Sequence, residues 1–201
     1  MRTLMLVLLS LTVLCALVAC TGRQDNQAEA RQYSFDDTPD ELVPYRDKAK
    51  LGFQSVANRL IPRLTSALSD GGPEEGIKVC SSVAQDLTAQ GAAESGFKLG
   101  RTSHKLRNPS NASPSWLSAF VESSAGKPGA DVRPVVFDLG DRVGVASPIV
   151  LAEMCIQCHG TQDEIDDETR NLLREFYPQD EAVGFASGDL RGWFWAELPK
   201  D

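Results

Sequence analysis

Apolar positions along the chain change their spacing several times, and each change marks an expected element. The first is an almost unbroken apolar run from Leu4 to Leu17, preceded by a single charge at Arg2. Residues 21–40 are polar with few large apolar groups, which reads as a flexible tether with a reach of roughly 25 Å. From Glu41 to Ser69, Leu42, Ala49, Phe53, Val56, Leu60, Leu64 and Leu68 recur at helical spacing. That pattern predicts one long amphipathic helix with Asp40 as its N-cap. Pro44 falls in the first turn, where it is tolerated, whereas Pro62 lies deep inside and is expected to kink or divide the helix. Gly71-Gly72-Pro73 ends the element, and Pro73 opens a second helix running to about Gln90, with Ile77, Cys80, Ala84 and Leu87 on one stripe.

The later half reads differently. GFKLGRTSHKLRNPSNASPSW (96–116) is rich in Gly, Asn, Pro and Ser, and predicts a short strand followed by a long structured loop. A helix is expected over Ser113–Ser123, with Trp116, Phe120 and Leu117 facing inward. Val132–Leu139 and Arg142–Ser147 carry β-branched residues on either side of Gly140-Asp141, which predicts a hairpin. A short helix follows over Thr169–Phe176. Ala182–Leu198, with glycines at 184, 188 and 192, reads as a second hairpin ending in Trp193-Phe194-Trp195. Helices first and antiparallel strands later imply an α+β domain.

Composition narrows this. The 201 residues carry a formal net charge of −8 and no basic cluster, which argues against nucleic acid as a partner. The opening apolar run is too short to span a bilayer and has no charged stop after it, so it reads as an export signal. It closes on Leu17-Val18-Ala19-Cys20, which resembles the lipobox of bacterial lipoproteins, where the Cys becomes a lipid-bearing N-terminus. The expected layout is therefore a signal peptide over 1–19, a lipid-carrying tether over 20–40 with Cys20 as the anchor, and one domain over 41–201. Such a chain faces the periplasm on a membrane, and Thr21 in place of Asp favours the outer one.

Five cysteines remain to be accounted for. Cys15 leaves with the signal and Cys20 takes lipid. Cys155-Ile156-Gln157-Cys158-His159 has the spacing of covalent haem attachment: two thiols one turn apart reach the two vinyl groups on a porphyrin edge, and the adjacent imidazole lies under the iron. Three other readings compete. A disulfide between Cys155 and Cys158 would close a strained loop. A thioredoxin-like pair needs a strand–helix setting that is absent here. A zinc site could recruit Cys80, Cys155, Cys158 and a His. Cys80 is left alone on the core-facing stripe, either as a small buried hydrophobe or as an iron ligand opposite His159, with His104 and Met154 as rivals for that position.

Four stretches, GIKVCSSVAQDL (76–87), LGRTSHKLRNPSN (99–111), CIQCHGT (155–161) and YPQDEAVGFASGDLRGWF (177–194), resemble the c-type-haem PAS-like domain family over most of 41–198. The resemblance implies an antiparallel sheet flanked by helices holding one haem c. It implies His159 as proximal ligand and Cys80 as distal ligand, and leaves His104 an exposed loop residue. Arg101, Arg107 and Asn108 belong to the matched motif as candidate partners of the haem propionates; alternatively, Asn108-Pro109 only shapes the loop.

The expected function is a membrane-tethered haem protein that senses redox state or a gas and passes the change to a separate redox or signalling protein. The rivals are plain electron transfer in the periplasm, peroxidase-like catalysis, and a zinc-holding structural lipoprotein. Sensing or electron transfer is expected ahead of enzymatic turnover, because no pair of residues is arranged as a distal acid and base.

Overall fold

The computed structural model describes residues 30–201; the expected signal peptide, Cys20 and the first part of the tether lie outside the described residues. Five strands, β1 (Arg31–Ser34), β2 (Lys98–Thr102), β3 (Val135–Asp138), β4 (Arg142–Val150) and β5 (Leu190–Pro199), form one antiparallel sheet in the order β1-β3-β4-β5-β2. Five helices accompany it: α1 (Val43–Lys78), α2 (Ala84–Ser95), α3 (Ser115–Ser123), α4 (Ile156–His159) and α5 (Asp167–Phe176). The domain is α+β, a five-stranded antiparallel sheet flanked by helices and preceded by a long helix, as expected of a PAS-like fold.

Side chains alternate across the pleat, and both faces of the sheet are covered. In β3, Val136 packs with Leu42, Phe53 and Val56 of the α1 side, while Val135 and Phe137 pack with Leu117 and Val121 of α3. In β5, Ala196 and Leu198 join the first cluster and Trp193 the second. Gly144 of β4 lets the Trp116 ring lie on the strand, since a Cβ there would stand 2.7 Å from the ring. In α3 it is Leu117 and Val121 that are fully buried, with Trp116 and Phe120 only partly so; the sequence reading had placed the two aromatics foremost.

Several boundaries correct the sequence reading. Arg31–Ser34, assigned to the tether, pairs with β3 in the register Tyr33↔Val136, so the folded domain begins before residue 41. Asp40 does not cap α1. The N-cap is Leu42, whose N–H donates to the Pro39 carbonyl at 2.8 Å, because a Pro39-Asp40 turn occupies the entry. Pro62 leaves α1 helical in its backbone angles. The break falls instead at Gly72, whose φ of 65° suits only glycine, immediately before Pro73. The second helix runs on to Ser95, past Gln90, and stops at Gly96 in the left-handed conformation. The segment 182–189 is not a hairpin arm. Its backbone groups are taken by other loops, Gly184 N–H by Gly160, Phe185 N–H by His159 and Gly188 N–H by Leu151, so β5 pairs with β4 and β2 instead.

One ion cluster ties the sheet. Glu197, 6% exposed, accepts from Lys98 at 2.7 Å, Arg142 at 3.0 Å and the Trp116 indole at 3.0 Å. Burial alone pushes its carboxyl up, and the hydrogen bonds from Lys98 and Arg142 more than offset that, holding it below the ordinary value. A carboxyl depressed in the folded state stabilises above its unfolded pKa, about 4.3, and that contribution is lost as pH falls through the folded value. Glu197→Gln is therefore expected to unfold more readily in urea at neutral pH. Below about pH 4 its further loss of stability on acidification is expected to be smaller than that of the wild type.

Candidate cofactor site

After β4 the chain turns through Glu153–Cys155 into α4, a single turn that sets Cys155 and Cys158 one turn apart. The turn closes with Gly160 N–H donating to the Ile156 carbonyl at 2.7 Å. A Cβ at 160 would stand 2.8 Å from that same oxygen, so the close approach requires glycine. His159 is held by the loop 182–185. Its Nδ1 is 2.7 Å from the Ala182 carbonyl, and since a carbonyl cannot donate, Nδ1 carries the proton and Nε2 keeps its lone pair, met by Arg107 Nη1 at 3.5 Å. Phe185 N–H returns a bond to the His159 carbonyl at 3.0 Å. Burial, with Arg107 and Arg191 adding to it, holds the imidazole pKa well below its usual value, so the ring is neutral.

Cys80 arrives from the other side. Between α1 and α2 the helix widens into a π-turn, Val79–Val83, and Cys80 is its second residue. Such turns insert one extra residue per turn and recur at functional sites. Cys80, Cys155 and His159 line one cavity of about 200 Å³, and a smaller adjoining cavity adds Cys158. Burial raises the thiol pKa of all three cysteines, that of Cys158 to about 11. A redox dithiol is served by the opposite shift, and the three cysteines stand as free thiols. Among the described residues no three His, Cys, Asp or Glu side chains stand grouped as in a preformed tetrahedral metal site.

Three guanidiniums face the same cavity: Arg101, Arg107 and Arg191. Only Arg107 has a carboxylate, Asp180, at 3.0 Å; among the described residues Arg101 and Arg191 form no ion pair. Arg101 Nε is shut off from solvent without a hydrogen-bond partner. Burial lowers the pKa of Arg101, and it lowers that of Arg191, with Arg107 adding to it, to about 10. Half-buried positive charge without a carboxylate partner favours an anion. Asn108 also lines the cavity, but its Oδ1 accepts from Ser110 N–H at 2.9 Å and so shapes the turn Pro109–Asn111. Arg107 is largely spent on the protein itself, with bonds to Asp180, Cys158 and Ala182.

The structure does not bring His104 to this cavity. Its ring packs edge-on against Phe185 and lines a separate cavity. Met154 stands beside Thr65, on the rim of the smaller cavity. Arg191, Tyr177 and Asp180 escaped the residue-by-residue reading. All three fall in the stretch 177–194, already conspicuous in the sequence, and Tyr177, its hydroxyl pKa raised by burial to about 12, closes the wall near Cys80.

Fold and site together define a PAS-like α+β domain with a Cys-x-x-Cys-His turn facing a helix-borne cysteine across a basic cavity. The family model described as Tll0287-like matches residues 22–199, and the chain belongs to that family, which bears out the resemblance read from its motifs. A solved structure, that of the cyanobacterial haem protein Tll0287, is 22% identical and superposes with a TM-score of 0.57, covering 82% of this chain and 98% of that one; at this identity the likeness speaks for the fold. No curated protein matches the chain.

Proposed function

We propose that this chain is a c-type haem protein that senses redox state or a gas, with one haem bound through thioethers to Cys155 and Cys158. His159 supplies the proximal nitrogen and Cys80 the distal sulfur. Arg101 and Arg191, with what remains of Arg107, receive the two propionates. The observation that carries the reading is the state of His159: Nδ1–H is committed to Ala182 and Nε2 keeps its lone pair, met by Arg107 Nη1 at 3.5 Å, in a cavity it shares with Cys80 and two guanidiniums that form no ion pair. The orphaned Arg101 Nε fits an acid-bearing group, and the chemistry of the donor set is that of haem ligation. The solved relative is itself described as a haem protein.

A bound haem supplies one-electron chemistry at iron. The chain's own residues set its bias. A thiolate supplied by Cys80, together with the neutral imidazole of His159, would donate charge and favour the ferric state. Cys80 sits in the π-turn Val79–Val83 and lines the cavity shared with His159, so the sulfur that would bind iron is carried by an irregular turn. Sensing is proposed over simple electron carriage because turns of this kind recur at functional sites. An exported chain tethered through Cys20 would hand the change to a separate membrane-side protein.

The test is ligand lability. The reduced holoprotein is expected to bind carbon monoxide rapidly and stoichiometrically, followed in the Soret region. Tight six-coordination in both redox states, with no such binding, would turn the assignment to an electron carrier.

A further inference from the structure

The loop 103–114 sends one side chain into the proximal machinery, and its contacts exceed what propionate binding requires. Arg107 is 8% exposed. Its Nε donates to Asp180 at 3.1 Å, and its Nη2 donates to the Cys158 carbonyl at 2.5 Å and to the Ala182 carbonyl at 3.1 Å. Its Nη1 stands 3.5 Å from His159 Nε2. Asp180 in turn accepts from Ala182 N–H at 2.8 Å, fixing the residue whose carbonyl holds His159 Nδ1. The guanidinium also lies over the Tyr177 ring, 5.8 Å from its centroid.

We infer that Arg107 is a positioning residue that presents His159 for metal binding before the cofactor arrives. With Nδ1 already protonated, Nε2 can only accept, and Nη1 can only donate, so the imidazole is held at both nitrogens in the tautomer a metal requires. The arrangement crosslinks three segments far apart in sequence: 103–114, 155–160 and 177–185. It also places the Cys158 carbonyl, and hence the attachment turn, in the same clamp. When Nε2 passes to a metal, only the 3.5 Å contact is lost, at the long limit of a hydrogen bond, while the shorter bonds remain. Lysine could not substitute, because it carries the charge as a point and lacks the planar fork that reaches two carbonyls and a carboxylate together.

The inference rests on the haem reading, but its first test needs no haem. The full chain, produced without a cytochrome-maturation system and labelled with ¹⁵N, is examined for the ring nitrogens of His159 and the amide exchange of Gly184 and Phe185. In the wild type the ring is expected to show one tautomer, protonated at Nδ1, with a hydrogen-bonded Nε2. In Arg107→Lys the Nε2 signal is expected to move to the unbonded range, and the two amides to exchange about tenfold faster. Asn108→Ala, which only loosens the neighbouring turn, is expected to leave the Nε2 signal in place, separating presentation from general loop stability. Should Arg107→Lys fail to fold, Asp180→Asn, which removes the anchor of the guanidinium, decides by the same readouts. An unchanged Nε2 signal in the variant overturns the inference. Co-produced with the maturation system, Arg107→Lys is expected to carry haem in a several-fold smaller fraction of chains. If even the wild type carries none, the haem reading falls while the ring-nitrogen result still stands.

Discussion

Replacing Cys155 and Cys158 together with alanine is expected to give a colourless chain of bare polypeptide mass, from a host in which the wild type gains the mass of one haem. The measurement is the mass of the denatured, acid–acetone-extracted protein together with its reduced pyridine spectrum. The effect is expected to be all-or-none because the two thiols are the only covalent handles on the turn, and a bond from Cys80 to iron, unlike a thioether, does not survive acid–acetone. Each single substitution is expected to leave one thioether and a shifted spectrum. Colour surviving extraction in the double variant would refute attachment at this turn.

The second large effect concerns Cys80. Its replacement by alanine removes the only sulfur facing His159 from the α1–α2 side, so the low-spin ferric signal in electron paramagnetic resonance is expected to give way to a high-spin one. With the thiolate gone, the reduction potential is expected to rise by on the order of 0.1 V, a modest part of the roughly 0.8 V that axial ligands command. His104→Ala is the matching control, and because its ring belongs to another cavity it is expected to change neither signal. An unchanged ferric spectrum in Cys80→Ala would remove that cysteine from the iron.

Residues that the sequence singled out for their chemistry do come together in the fold, while several element boundaries do not fall where the sequence put them. Cys155, Cys158 and His159 stood out because they are chemically distinctive residues at short spacing, whereas Cys80 was singled out by the family resemblance; the fold gathers the four on two adjoining cavities. The break at Gly71-Gly72-Pro73 was equally legible, since a φ of 65° at Gly72 is open to glycine alone. By contrast, Arg31–Ser34 looked like tether because an edge strand with one covered face needs only Tyr33 to pack, and its pairing with β3 is a long-range choice invisible in local composition. The supposed arm at 182–189 failed for a related reason. Its glycines do form tight bends, but its backbone partners lie in the attachment turn and after β4. Arg191 and Asp180 could not be ranked from sequence, because a guanidinium with a carboxylate and one without look alike until they are folded.

The strand order has a consequence for access. Whatever precedes Arg31 joins the sheet at β1, on one edge, whereas the cavity is walled by β2, β5 and the end of β4 toward the other. Four strand spacings separate the two edges, roughly 19 Å. Anything held through the residues before Arg31 would therefore act on the edge away from the cavity and leave the β2 flank open to approach.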